Sequence, residues 1–166
     1  MNKSTPGEGG IPVPGVRGMD HTADIGLEIR APDLPDLFGR AALATLWLVL
    51  GRTSADARSR EGEGGELIRK SVELAEEDLS CLLRSWLRTV LLWEDTEGFV
   101  IFGTRLMLFP TPLCGAPDGQ AFGLIGQVEG RLDEGSRVRE IKGVTLHGLE
   151  VEETEEGWLG RVIFDV

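Results

Sequence analysis

The stretch from Asp78 to Gly98 constrains the fold more than any other part of the chain. Leu79, Leu82, Leu83, Trp86, Leu87, Val90 and Leu91 recur every three or four residues, the spacing that lines up side chains on one face of an α-helix. Asp78 stands where a helix N-cap belongs, Glu76 and Glu77 place negative charge near the positive end of the helix, and Asp95 to Gly98 reads as the turn that ends it. A helix with so wide an apolar face must be covered, and a sheet is the natural cover.

A second helix precedes it. Asp33 or Pro35 opens it; Leu34, Leu37, Phe38, Ala41, Ala42 and Leu46 recur at helical spacing to about Leu50, and Gly51 is placed as its stop. The remaining apolar pattern belongs to strands. Ile25, Leu27 and Ile29 alternate with Glu28 and Arg30, and Ile68, Val72 and Leu74 suggest a strand from Leu67 to Ala75. After Gly98 come Phe99 to Phe102, Arg105 to Phe109 and Phe122 to Glu129. Ile141 to Glu152 and Trp158 to Val166 read as the two arms of a closing hairpin, joined through Glu153 to Gly157. The order β-α-β-α followed by a run of strands predicts an α+β fold: one two-layer domain, with two amphipathic helices packed on a mainly antiparallel β-sheet. Residues 1–18 are rich in Gly and Pro and have few large side chains, which predicts a flexible N-terminal tail before a domain spanning residues 19–166.

Composition narrows the function. Hydrophobic residues make up 41% of 166 positions, enough for one sizeable core. Lys plus Arg total 17 against 28 Asp plus Glu, a net charge of −11 that argues against a direct nucleic-acid-binding surface. It leaves room for a basic protein partner, a divalent cation or a high-salt cytoplasm that favours acidic surfaces. Cys81 lies in the apolar helical pattern and Cys114 in a Pro/Gly-rich stretch, outside any zinc or redox spacing. The first 18 residues lack the apolar segment of a signal peptide, and no run approaches the roughly 20 residues that span a bilayer. The expectation is a cytoplasmic protein.

Most catalytic signatures are missing. Gly62, Gly64 and Gly65 lack the context of a phosphate-binding loop, there is no Gly-x-Ser-x-Gly elbow, and His21 and His147 are the only histidines. What remains is oxygen chemistry, in two places. Asp20-His21-Thr22-Ala23-Asp24 sits at the mouth of an apolar strand, and Ile163-Phe164-Asp165-Val166 ends another with a carboxylate. If the two meet, they offer several hard oxygens of the kind calcium, magnesium or manganese prefers. The plainer reading makes these aspartates turn residues or caps, which an acidic chain has in number.

The segment Asp20-His21-Thr22-Ala23-Asp24-Ile25-Gly26 resembles the opening motif of the archease family. The resemblance continues, in the family's order, through Asp78 to Leu83 and Asp95 to Phe99. It is strongest from Glu140 to Val151, and it ends with Trp158 and Val162 to Val166. It implies a small α+β cytosolic protein that is not itself an enzyme. Such a protein activates the GTP-dependent tRNA-splicing RNA ligase by speeding its guanylylation and repeated turnover, and meets RNA only through the ligase. It also implies a bound divalent metal ion, calcium before magnesium or manganese. The matching ligands are Asp24, Asp165 and Val166, the last through its main-chain or terminal oxygen. The basic residue important for activation matches Lys142, while Asp20, His21 and His147 fall inside the motifs without a firm role.

The chain departs from the family pattern in three places. Leu146 replaces the usual aromatic before His147, Arg131 to Glu140 is short and lacks a histidine, and Pro110 to Gly119 is irregular. Two other readings compete with the resemblance. One is a general chaperone-like modulator of nucleic-acid enzymes that needs no ion. The other is a metal-dependent hydrolase using Asp24 and Asp165, for which His21 and His147 are the only candidate bases.

Overall fold

The computed structural model describes residues 10–20, 24–53, 65–112, 121–133 and 135–166. Among these residues two helices, α1 (Leu34–Leu50) and α2 (Leu79–Glu97), are set among eight strands: β1 (Val16–Asp20), β2 (Ile25–Ala31), β3 (Ile68–Glu76), β4 (Phe99–Thr111), β5 (Ala121–Leu132), β6 (Gly143–Val144), β7 (Glu150–Thr154) and β8 (Gly157–Asp165). Every strand pairing among the described residues is antiparallel. The fold is α+β, as the order of elements implies. The strands divide between two sheets. One runs β1-β2-β8-β6, with β7 sharing the outer edge of β8, and the other runs β3-β5-β4.

The helices form where the pattern places them, for the expected reasons. Asp33 caps α1 by accepting the Asp36 N–H at 2.8 Å, and Asp78 caps α2 by accepting the Cys81 N–H at 2.7 Å. Gly51 and Gly98 close the two helices in the left-handed conformation at φ of 65° and 69°. Leu82, Leu83, Trp86, Leu87 and Val90 are fully buried, so the stripe on α2 is core. α1 is buried on nearly every side: it contacts β2 and β8 of one sheet, β4 of the other, and α2. The Trp86 indole N–H donates to the Phe38 carbonyl at 2.9 Å and ties the helices together. No helix among the described residues is long and apolar enough to cross a membrane.

Three strand expectations change. Structure begins before Met19, which lies within β1. Val13 is 9% exposed and belongs to the core. The Arg30 N–H bonds the Gly15 carbonyl, while Arg40 reaches the carbonyls of Pro14 and Arg30. The part of the supposed tail from Val13 onward is therefore held by backbone hydrogen bonds, which a Gly/Pro-rich composition conceals; residues 1–9 lie outside the described residues. Phe99 to Phe102 and Arg105 to Phe109 are one strand, β4, interrupted by an irregularity between Ile101 and Gly103. The first arm of the closing hairpin is shorter than Ile141 to Glu152. Gly148, at φ 65°, turns the chain between β6 and β7, and both short strands pair with β8.

The sheet containing β8 carries a charged ladder. Cross-strand register aligns Arg17, Glu28, Arg161 and Glu150. Glu28 is only 4% exposed and takes Arg17 at 2.9 Å and Arg161 at 3.3 Å; Arg161 also holds Glu150 at 2.7 Å. A carboxylate this buried persists because the arginines offset its lost hydration.

Candidate acidic site and adjoining cleft

The two acidic places meet. Ile25 pairs with Phe164, so one residue further along the β2–β8 pair Asp24 and Asp165 stand at the same end of the sheet. On the other side of β8, Gly143 pairs with Asp165, and the Lys142 N–H donates to the Asp165 carbonyl at 2.8 Å. Asp20 occupies the register position opposite Ile25. Asp24 and Val166 are half-buried, whereas Asp165 and Lys142 are exposed. Asp20, Asp24, Lys142, Asp165 and Val166 thus converge on one sheet end, though nearly 150 residues separate the first from the last.

His147 sits in the turn after β6. Thr145 anchors this turn: its N–H and hydroxyl reach the Ile163 carbonyl at 3.0 and 3.2 Å. His147 is exposed, and its turn is fixed to β8 two residues before Asp165. His21 lies outside the described residues. Leu146, just before His147, is 65% exposed and so takes no part in the core.

The donor set at this end consists of the carboxylates of Asp24 and Asp165 and the main-chain oxygen of Val166. All are hard oxygens of the kind calcium or magnesium takes, and the Asp165 carbonyl is already engaged by Lys142. The residues present therefore fit a divalent ion. Bound there, an ion would neutralise two neighbouring carboxylates at an end of an already acidic chain.

A second group, not foreseen from the sequence, lies at the start of α2. Glu77, Asp78 and Cys81 place potential ligand atoms within 4.8 Å of one another. Asp78 is occupied by its cap, and Cys81 Sγ lies 3.9 Å from Glu77 Oε1. Burial, reinforced by the carboxylates of Asp78, Glu77 and Glu76, pushes the Cys81 thiol up to about 11. The neutral thiol is a poor nucleophile and a poor metal ligand. The spacing of Glu77, Asp78 and Cys81 across the cap is the signal that could have revealed the group.

The connection from β5 to β6 wraps both helices as a strap. Asp133 takes Arg52 at 2.7 Å, the N–H groups of Val138 and Arg139 cap the Val49 carbonyl, and Arg137 holds Glu94 at 2.9 Å and Asp95 at 2.8 Å. Burial raises the Glu94 carboxyl above its usual range, against the pull of Arg137. Between the strap and α2 lies a cleft of about 650 Å³, into whose lining Lys142 enters at the end next to Asp165.

The model of the Archease protein family (MTH1598/TM1083) matches residues 17–166. The chain belongs to the archease family. It is similar to protein archease of Methanothermobacter thermautotrophicus, 32% identical over 154 residues that cover 92% of this chain and 99% of that one. Protein archease of Archaeoglobus fulgidus is 30% identical over 151 residues, covering 90% and 98%. The solution structure of Methanobacterium thermoautotrophicum protein 1598 superimposes with a TM-score of 0.64 at 28% identity, covering 92% of this chain and 99% of that chain. These archeases are named as proteins and not by a reaction. The archease match opens at Arg17, inside β1, in keeping with a domain that starts before Met19.

Proposed function

We propose that this archease activates the GTP-dependent tRNA-splicing RNA ligase, promoting its guanylylation and multiple turnover without catalysing a reaction itself. Asp24, Asp165 and Val166 would hold a divalent ion, calcium before magnesium or manganese, and Lys142 would act on the ligase beside them. The observation that carries this reading is the register at the end of β8, where Asp24 and Lys142 flank Asp165 from opposite sides. Asp20, His21 and His147 belong to the same motifs and support the partner-facing surface. In this reading the protein works in the cytoplasm and meets RNA only through the ligase, as its net charge of −11 suggests.

When bound, the ion supplies charge neutralisation at the acidic end. Asp24 and Asp165 position it, and the Lys142 backbone bond to Asp165 keeps the lysine next to that end. Two routes to activation follow: presenting this charged end to the ligase nucleotide site, or favouring a ligase conformation competent for guanylylation. Single-turnover guanylylation with Asp24→Ala separates them. Loss of stimulation supports the acidic end as the working part; full stimulation removes the ion from the account and favours a modulator that acts through its surface alone.

A further inference from the structure

The cleft beside α2 is where an otherwise acidic molecule turns basic. Arg88, Arg137, Arg139 and Lys142 all line this opening, although the chain has only 17 Lys and Arg against 28 Asp and Glu. Arg137 is shared between Glu94 and Asp95 on the facing wall. The Arg139 side chain makes one long hydrogen bond, donating to the Leu48 carbonyl at 3.4 Å. Among the described residues the side chains of Arg88 and Lys142 have no ion pair or hydrogen bond. The lining thus sets four cations against three carboxylates, Glu94, Asp95 and Glu140, and the side chains of Arg88, Arg139 and Lys142 are the cations that no carboxylate engages. The half-buried Leu91 and Ile141 give it an apolar flank.

We propose that this cleft binds a small phosphorylated molecule. Its phosphate or pyrophosphate group is held by Arg88, Arg139 and Lys142, and its apolar or planar body lies against Leu91 and Ile141. Guanidinium forks match phosphate oxygens, and the volume of about 650 Å³ suits a ligand of mononucleotide size. Global charge selects against a larger anion. A nucleic acid or an acidic protein would lie across the surrounding carboxylates, whereas a small ligand meets only the local cations, because fields are screened beyond about 8 Å at physiological ionic strength. This site adjoins the acidic end and shares Lys142 with it, but its test does not depend on the ligase reading. The strap joins the two places through the Lys142 bond to Asp165.

The test is an NMR titration of the full ¹⁵N-labelled chain with inorganic pyrophosphate and then with a mononucleotide. It is run in divalent-free buffer at constant ionic strength, for wild type and Arg88→Glu. The expected result is saturable shifts at the amides of Ile141 and Gly143 and at the Arg88 side chain, with binding at least tenfold weaker in the variant. Arg88 is exposed and, among the described residues, its side chain makes no ion pair or hydrogen bond, so unchanged resonances elsewhere will show that the variant folds. No saturable shift, equal binding by Arg88→Glu, or the same shifts with chloride in place of pyrophosphate would overturn the proposal. Because no ligase is present, either outcome leaves the activator reading standing or falling on its own test.

Discussion

At the scale of single residues, charge is placed where burial makes it matter. The hydrogen bond from Arg17 is the largest influence holding the Glu28 carboxyl below its usual range; burial opposes it, and Arg161 adds to it. A depressed carboxylate contributes stability that is present above the unfolded value and lost as pH falls through the folded one. Urea denaturation should therefore show stability falling as pH drops below the ordinary glutamate range, and Glu28→Gln should be less stable than wild type at pH 7 with a flatter acid profile. Equal acid profiles for the two proteins would remove Glu28 from the account. Cys81 makes a second prediction. In a Cys114→Ser background, its alkylation at pH 8 should be on the order of a hundredfold slower than that of a free thiol and should climb toward pH 11. Rapid labelling at pH 8 would show that the thiol is not held neutral.

At the scale of elements, α2 organises the molecule. Trp86→Ala should cost about 3–5 kcal/mol, because it empties a fully buried site between both helices. Trp86→Phe should cost less, through loss of the hydrogen bond to Phe38. Chemical denaturation measures both, and a negligible cost for the alanine would contradict the packing. This helix was legible in the sequence because seven apolar residues, a capping aspartate and a terminal glycine all point the same way. β1 was not, since backbone pairing rather than an apolar stripe holds Val16 to Asp20. Nor was the division of Ile141 to Glu152 between β6 and β7, which depends on the turn at Gly148 and on two short strands sharing one edge of β8. Glu94 was hidden by its place in the apolar stripe of α2; its partner, Arg137, lies 43 residues away.

At the scale of the whole molecule, topology makes the site. Asp24 and Asp165 are ordinary aspartates in a chain of 28 acidic residues, and only the pairing of β2 with β8 sets them side by side. The motifs around them single out Asp24 and Asp165, which the register of β2 and β8 sets at one sheet end, but the sequence alone did not reveal that the lysine beside Asp165 also lines a basic cleft under the strap. The proposed ligand set, with Val166 in it, predicts that a tag added after Val166 weakens calcium binding, checked by calorimetry on tagged and untagged protein. Equal affinities would remove the terminal carboxylate of Val166 from the ligand set.

The most direct test of the central claim is RNA ligation with the splicing ligase limiting. Wild-type protein is compared with the Asp24→Ala/Asp165→Ala double variant. The account predicts that the wild type restores repeated turnover and that the double variant, folded by its unchanged thermal melt, leaves the ligase near a single round. Equal turnover with both proteins, or no stimulation by the wild type, would contradict it.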